Sequence, residues 1–385
     1  MHKPKVVFPF VEAGFGHIMT EKSIADAFEK KYGDLCDVER IDFYKNGGKG
    51  LTEYEKMLCR EVRSYNKCHA YGYFMTSFLS LWGTKISSWC VMQVLVPGAY
   101  KEAMERMNSL KADVVVSTHW TTNYYASKAD NKPMTIMYIP DAHANEMFLY
   151  ETDLSMISMK EGYEAALKKN KRFNEDNFKL VPLAIRKEAF EVKGNKKELR
   201  EKLGHDDKFT IYLTEGGYGI GLTETLCEKI IEKNLNVTVI AVCGKNPELK
   251  ARLDKLKEKG TGNVSFYPYG FTEKVLPMIA SSDLYMGKSG NGLMEAAFFG
   301  VPIVVTHSAN KIEKNLAEHY VTYVKDAVRI FEVDKCLKFI EEAINGGERY
   351  MSLLKADIKK EDFGSEKIAD EIFKKINEKF KLTEE

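Results

Sequence analysis

The sequence has no long apolar run and no strong excess of charge of one sign. No segment approaches the roughly 20 apolar residues of a membrane-spanning helix, and the apolar run at the N-terminus is too short for a signal peptide. The 57 Lys and Arg residues balance 56 Asp and Glu residues, so the net charge of +1 gives no support to nucleic-acid binding. We therefore expect a cytoplasmic protein with no nucleic-acid partner, whose surface can still touch a membrane.

The sequence also has few features that would bind a metal. Its seven cysteines are scattered, with no CxxC pair and no Cys/His cluster of zinc spacing, which is typical of reduced thiols. No DxD pair occurs, so a cation held by two carboxylates is not indicated. We expect no metal and no cofactor.

The most informative stretch is residues 281–302, SSDLYMGKSGNGLMEAAFFGVP. It predicts a strand end at 284–286, a glycine-rich turn and a short apolar helix that Gly300 and Pro302 end. A helix that glycines open is an anion site, because its free N–H groups and its dipole both favour negative charge. Glu295, one turn into the helix, can accept hydrogen bonds from two ribose hydroxyls. The pattern suggests a nucleoside-diphosphate site; the alternative is a turn that only joins strand to helix.

The N-terminal part predicts the start of a doubly wound sheet. Residues 5–10 form an apolar strand, EAGFGH a second glycine-rich turn, residues 18–32 a helix and residues 38–44 a second strand. His17 lies where the turn meets the helix, at the strand ends where such sheets bind ligands. It suits a general base; the alternative is a histidine that only caps the turn.

Polar residues follow two further predicted strands. His119 comes after residues 113–117, while Asp141 and His143 come after residues 134–139. Polar turns that open on one crevice suggest a site, although His119 and His143 are equally compatible with ordinary loops. Residues 160–179 are strongly charged and are predicted to be helical.

Residues 45–100 combine many aromatic side chains with lysine and arginine. This combination suits an interface with lipid headgroups and acyl chains. We therefore hypothesise that part of 71–96 binds an apolar acceptor or contacts a membrane surface. The alternative is a pair of core helices with a solvated face.

The second half repeats the strand–helix alternation after an apolar-poor segment at 191–208. A strand at 209–214 leads into the turn EGGYGIG and further helices and strands. The predicted fold class is α/β, with two doubly wound Rossmann-like domains facing a cleft lined by three glycine-rich turns. The predicted domains are residues 1–190, 191–360 and an amphipathic closing helix within 361–385.

Five segments between residues 182 and 304 resemble the GT-B glycosyltransferases. They are PLAIRKEAF (182–190), TEGGYGIG, AVCGKN (241–246), YGF (269–271) and DLYMGKSGNGLMEAAFFGVPIV (283–304). The group includes monogalactosyldiacylglycerol synthase, processive diacylglycerol glucosyltransferases and the peptidoglycan lipid-intermediate GlcNAc transferase. The resemblance extends over residues 5–325, with Phe15 replacing a glycine of the family's N-terminal turn.

The resemblance implies a role for individual residues. His17 matches the family's histidine near the acceptor hydroxyl, Phe271 the contact to the base and Glu295 the ribose-binding glutamate. Asn315 matches the end of a segment that contacts the donor sugar, but the Gln-Glu pair of that segment is replaced around 309–311. The matches to the two phosphate-binding turns are Gly216, Gly217, Gly219, Ser289, Gly290 and Asn291.

The implied activity is an inverting, metal-independent hexosyltransferase. It would move a hexose from a UDP-sugar, as substrate, to a lipid acceptor such as diacylglycerol, and peripheral membrane contact would use residues 45–100. Backbone N–H groups would neutralise the leaving diphosphate, and His17, or else Asp141, would deprotonate the acceptor. The alternatives are a UDP-sugar 2-epimerase or hydrolase of similar fold, and a catalytically degenerate nucleotide-sugar binding protein.

Overall fold

The computed structural model describes residues 3–12, 15–82, 98–143, 152–170, 172–217, 221–320, 332–356 and 359–383. The chain divides into two compact units. The first unit contains Met1–Ser64, Phe74–Lys187 and Glu361–Glu385, and the second contains Tyr65–Tyr73 and Glu188–Lys360. The chain therefore passes from the first unit into the second and returns to the first at its C-terminal end.

Strands and helices alternate along both units. The strands are β1 Lys5–Phe10, β2 Asp37–Asp42, β3 Val114–Ser117, β4 Met134–Ile139, β5 Leu154–Ile157, β6 Phe178–Leu180, β7 Phe209–Thr214, β8 Val237–Val242, β9 Ser265–Tyr269, β10 Leu284–Lys288 and β11 Ile303–His307. The helices are α1 Phe15–Tyr32, α2 Lys49–Lys67, α3 His69–Trp82, α4 Ala99–Ser109, α5 Trp120–Lys128, α6 Lys160–Lys169, α7 Glu188–Glu191, α8 Lys196–Leu203, α9 Thr223–Glu232, α10 Pro247–Glu258, α11 Val275–Ala280, α12 Asn291–Phe298, α13 Lys311–His319, α14 Glu332–Ile344, α15 Glu348–Leu353 and α16 Ser365–Phe380.

The first unit is built on a parallel sheet of order β2-β1-β3-β4-β5-β6. Every residue of β3, β4 and β5 is buried, as expected for parallel strands that helices cover on both faces. The edge strand β2, DVERID, is charged instead and none of its residues is fully buried. Charge on an edge strand discourages pairing with another chain.

The closing helix α16 belongs to the core of the first unit. Its apolar stripe, Ile368, Ile372 and Ile376, is fully buried in the same cluster as Val6 and Phe8 of β1. The ring of Phe373 stacks on that of Tyr32 in α1, with centroids 4.0 Å apart. The Tyr32 hydroxyl also donates a hydrogen bond of 2.6 Å to Asp370 of α16. The four-residue period of isoleucines in the sequence thus corresponds to a face that covers α1.

The second unit is a parallel sheet of order β11-β10-β7-β8-β9. Strand β10 continues through Gly287 to Lys288, so the prediction that Gly287 belongs to the turn was wrong. A Cβ atom on Gly287 would lie 2.2 Å from the carbonyl oxygen of Thr214 in β7. This glycine therefore allows β10 to run close beside β7, rather than bending the chain.

The sequence analysis also overextended one helix and missed two short strands. The helix predicted over 160–179 ends at Lys169, and β6 begins at Phe178. Between them the Asn174 side chain accepts hydrogen bonds from the backbone N–H groups of Asp176 and Asn177, at 2.9 and 3.2 Å. Such side-chain bonds compete with helical ones. Strand β5 was missed because only four residues of it pair.

Residues 45–100 contain α2, α3 and the start of α4, while residues 83–97 lie outside the described part of the chain. Leu51 and Tyr54 of α2 are core residues, but Tyr71, Phe74 and Phe78 of α3 are exposed. The structure thus supports a core role for one end of this segment and leaves an aromatic surface on α3. Within the ranges described above, no helix has both the length and the apolar character that a membrane crossing requires.

Candidate functional site

The second unit has a topological switch point between β7 and β10. Strands β8 and β9 extend the sheet on one side of β7, whereas β10 and β11 extend it on the other. Loops that leave two such neighbouring strands diverge, and ligands bind in the crevice at their carboxyl ends. The loop after β7 contains Gly216 and Gly217, and the loop after β10 contains Ser289, Gly290 and the start of α12. The structure thus brings the residues of the two predicted phosphate-binding turns to adjacent strand ends.

The loop after β7 has a conformation that depends on glycine. Gly216 is exposed and has a φ of 71°, in the left-handed region that favours glycine. The Gly217 carbonyl accepts a hydrogen bond of 2.8 Å from the backbone N–H of Lys245, which follows β8. A Cβ on Gly244 would lie 2.5 Å from that same carbonyl oxygen, so the loops after β7 and β8 touch through their backbones. Gly219 lies outside the described residues.

In the loop after β10, Ser289 forms hydrogen bonds to backbone carbonyl groups of the protein. The Ser289 hydroxyl donates a 2.7 Å hydrogen bond to the carbonyl of Glu313, and its backbone N–H donates to the carbonyl of His307 at 3.3 Å. The polar groups of this buried serine therefore hold the turn in place. Helix α12 begins two residues later, at Asn291, and the N-terminus of a helix favours anionic groups.

The other predicted donor-binding residues lie around this pair of turns. Glu295 of α12 has only 8% of its surface exposed, so a ribose would have to reach the small exposed part of the side chain. Phe271 follows β9, two strands from β7, and is 66% exposed, with Lys245 Nζ 5.7 Å from its ring centroid. An exposed aromatic ring beside a cation can stack on a base. Asn315 is half-buried on α13.

Two close pairs of ionisable side chains at this site were not predicted from the sequence. The carboxylate of Glu215 lies 2.9 Å from Nδ1 of His307, and both side chains are 1% exposed. Lys288 Nζ lies 2.8 Å from a carboxylate oxygen of Glu313. The only sequence signal for these pairs is that Glu215, Lys288 and His307 each stand at or directly after the end of an apolar strand. Which carboxylate pairs with which basic side chain depends on the order of the strands in the sheet.

The Glu215–His307 pair also contacts the segment 65–73, which clusters with the second unit. The ring of His69 stacks on that of His307, with centroids 5.3 Å apart and planes 21° apart. Burial is the main cause of a lowered pKa of His69, and the neighbouring His307 lowers it further. A Cβ on Gly72 would lie 2.1 Å from the carbonyl oxygen of Ala309, so this part of α3 packs directly on the loop after β11.

The first unit has its own switch point, between β1 and β3, and His17 lies there. The Nδ1 atom of His17 is 3.0 Å from the carbonyl oxygen of Thr118, which follows β3. Because a carbonyl can only accept, this hydrogen bond requires the proton on Nδ1. In the neutral ring the lone pair is then on Nε2, and that nitrogen is the one able to take a proton.

His119 packs against His17 and is held in the opposite tautomer. Its Nδ1 accepts from the backbone N–H of Thr121 at 3.4 Å, which caps α5, and lies 2.7 Å from the Thr121 hydroxyl. That hydroxyl in turn accepts from Tyr44 at 2.9 Å. The rings of His17 and His119 meet edge to face at 5.2 Å. Burial, followed by the proximity of His17, holds the pKa of His119 well below its ordinary value, so His119 stays neutral.

The remaining polar strand-end residues of the first unit are Asp141 and His143. Both follow β4, the neighbour of β3; Asp141 is half-buried and His143 is exposed. Their proposed catalytic or binding roles stay predictions. Across the described residues of both units, no group of three or more His, Cys, Asp or Glu side chains is arranged to hold a metal ion.

No protein-family model matches the chain. Several proteins of known name are similar to it in sequence. It is 23% identical over 337 residues to monogalactosyldiacylglycerol synthase 1 of Arabidopsis thaliana, covering 78% of this chain and 57% of the plant protein. It is 23% identical over 350 residues to the processive diacylglycerol β-glucosyltransferase of Bacillus cytotoxicus, covering 87% and 85%. A match to the Bacillus licheniformis enzyme is 29% identical but covers 34% of this chain and 33% of that one. The resemblance to diacylglycerol glycosyltransferases is confirmed.

Solved structures with this fold include MurG and UDP-GlcNAc 2-epimerases. MurG of Acinetobacter baumannii aligns with a TM-score of 0.58 at 13% identity, covering 97% of this chain and 100% of that one. UDP-GlcNAc 2-epimerase of Neisseria meningitidis, bound to UDP-GlcNAc, aligns with a TM-score of 0.58 at 12% identity, covering 98% and 100%. These likenesses confirm the predicted GT-B type of α/β fold.

The lowered pKa of His119 predicts a pH dependence of stability. An unfolded histidine binds a proton below about pH 6.5, whereas folded His119 does not. The contribution of His119 to the free energy of unfolding is therefore complete above that pH. Below it, this contribution declines by at most about 1.4 kcal/mol per pH unit, until the pH reaches the pKa of folded His119. The His119→Asn variant keeps a cap for α5 but cannot titrate. Denaturant unfolding between pH 4.5 and 7.5 should show a shallower decline for this variant; equal slopes would contradict the assignment.

Proposed function

We propose that the protein is an inverting, metal-independent glycosyltransferase that moves a hexose from a UDP-sugar to a lipid acceptor such as diacylglycerol. The observation that carries this proposal is the resemblance to relatives named for diacylglycerol glycosylation, one of which matches along 87% of this chain. The two glycine-bearing turns at the β7–β10 switch point support a nucleotide-sugar donor. The exposed aromatic residues of α3 support an apolar acceptor and contact with a membrane surface.

In the proposed reaction the second unit holds the donor and His17 activates the acceptor. Nε2 of His17 takes the proton of the acceptor hydroxyl, because Nδ1 is committed to the Thr118 carbonyl. The acceptor oxygen then forms a bond to the anomeric carbon as the bond from that carbon to the diphosphate oxygen breaks. Backbone N–H groups at Gly216, Gly217 and the start of α12 neutralise the leaving UDP. Attack opposite the leaving group inverts the anomeric centre.

A UDP-sugar 2-epimerase or hydrolase is the second candidate, because solved epimerases share the fold. Such an enzyme has no use for an acceptor, so the aromatic surface on α3 would lack a role. A degenerate protein that binds a nucleotide-sugar without turnover is the third candidate. The replaced Gln-Glu pair around 309–311 favours it, because those positions face the donor sugar in the resembled family.

UDP release distinguishes the three candidates. The purified protein would be mixed with a series of UDP-hexoses and UDP-GlcNAc, each with and without diacylglycerol in detergent micelles. We expect UDP to be released only when a UDP-hexose and diacylglycerol are both present, with a glycolipid as the second product. Release without diacylglycerol, or inversion at C2 of UDP-GlcNAc, would contradict the transferase. Thermal stabilisation by UDP with no turnover would indicate the binding protein.

The role of His17 predicts a selective loss of turnover. His17→Ala should lower kcat roughly 10²–10⁴-fold, the usual worth of a general base, while the Kd for UDP changes little because the second unit binds UDP. Asp141→Asn, at the second candidate base, should have the smaller effect. The exposed His319 provides a matched control, since His319→Ala removes a histidine that belongs to the second unit. Near-normal kcat in His17→Ala would exclude His17 as the base.

The role of Glu295 predicts weaker binding of ligands that contain ribose. Hydrogen bonds to a charged group contribute about 1.5–3 kcal/mol, so Glu295→Ala should raise the Kd for UDP about 10- to 100-fold. Glu295→Gln, which keeps the volume and one acceptor oxygen, should lose less. Titration calorimetry with pyrophosphate is the control, because that ligand has no ribose. An equal loss of pyrophosphate affinity would mean that this buried side chain only supports the fold of α12.

A further inference from the structure

The buried carboxylate of Glu215 connects both ends of the glycine loop after β7. Glu215 opens the loop, and its Oε1 accepts a 3.0 Å hydrogen bond from the backbone N–H of Leu222, directly before α9. A Cβ on Gly221 would lie 2.4 Å from the Glu215 carboxyl carbon. Gly221 and Leu222, at the end of the loop, therefore both contact the side chain of Glu215, the residue with which the loop begins.

The same carboxylate fastens the loop to β11. Thr306 donates its hydroxyl to Oε1 of Glu215 at 3.2 Å, and Nδ1 of His307 lies 2.9 Å from Oε2. A Cβ on Gly221 would also lie 2.6 Å from Cε1 of His307. Polar atoms with 1% exposure are costly to bury without a partner, and removing His307 would take away the nitrogen that lies nearest to Oε2 of Glu215. The conformation of the loop after β7 therefore depends on Thr306 and His307 at the end of β11, through the side chain of Glu215.

We propose that Glu215 and His307 act together as positioning residues that hold the Gly216–Gly217 loop in the conformation that binds the donor diphosphate. This inference rests on the proposed function, because it assigns these two residues to the diphosphate site of that function. Neither side chain is exposed enough to contact the ligand itself. Their effect passes through the backbone N–H groups of the loop, whose directions depend on where the loop begins and ends.

The test compares UDP affinity, donor KM and kcat in variants of the pair. In Glu215→Gln the side chain keeps its size but loses its charge, and we expect the Kd for UDP and the donor KM to rise together by about tenfold or more, with kcat changed less than about threefold. His307→Leu should do the same. His307→Asn places an N–H close to the position of Nδ1 and should restore affinity to within about threefold of wild type. Backbone hydrogen exchange in a peptide that ends at Leu222 should be faster than in the wild type for Glu215→Gln and His307→Leu, but not for His307→Asn.

A double mutant and a matched control make the test specific. Because the two residues act as one pair, Glu215→Gln combined with His307→Leu should lose no more UDP affinity than the worse single variant. Glu224→Gln, two residues after Leu222, removes an exposed ion pair with Arg252 and should leave UDP affinity unchanged. Additive losses in the double mutant, or a Kd for UDP in folded Glu215→Gln within about twofold of wild type, would overturn the proposal.

Two further outcomes are interpretable. If Glu215→Gln does not fold, the contrast between His307→Asn and His307→Leu decides, and equal UDP affinity in those two variants overturns the proposal. If the wild-type protein neither binds UDP nor releases it from a UDP-sugar, the proposed function fails instead. The two failures are therefore distinguished by the wild-type measurement alone.

Discussion

The close approach of β10 to β7 is the constraint on which the candidate donor site depends. Only a residue without a side chain can stand at 287, because a Cβ there would lie 2.2 Å from the Thr214 carbonyl. The register of β10 against β11 shifts at this same point, between Gly287 and Lys288. The two turns that follow β7 and β10 consequently start from adjacent positions. A diphosphate is bound by several N–H groups directed at one place, and two turns that start from adjacent strands can supply them together.

The first unit places two histidine rings in contact and holds them in different tautomers. Two histidine rings in contact cannot both carry charge cheaply. Here the choice is made by hydrogen bonds: the Thr118 carbonyl requires a proton on Nδ1 of His17, whereas the Thr121 N–H requires a lone pair on Nδ1 of His119. Burial keeps His119 neutral. His17 thus faces a neutral neighbour and not a second positive charge.

Local pattern predicted most strands of the two sheets, because buried parallel strands are continuous apolar runs between turn residues. The observed bounds of β1, β4 and β7 are those expected from continuous apolar runs between turn residues. The resemblance in the glycine turns pointed to residues that the structure brings to two adjacent strand ends. Glu215 and His307 could not be paired in advance, since they are far apart in sequence and meet only through the order β11-β10-β7. Gly287 was wrongly assigned to the turn, because a glycine is needed there for the close contact of β10 with β7. That contact depends on the tertiary structure and not on the local sequence.

The return of α16 to the first unit has a consequence for how the chain is made. The cluster that holds Val6 and Phe8 also holds Ile368, Ile372 and Ile376, so the first sheet lacks one of its covering helices until α16 has left the ribosome. The second unit, contiguous apart from 65–73, can fold earlier. Domains usually fold in the order of synthesis; in this chain the core that contains β1 is completed only after α16, which follows the second unit, so part of its apolar surface stays uncovered meanwhile.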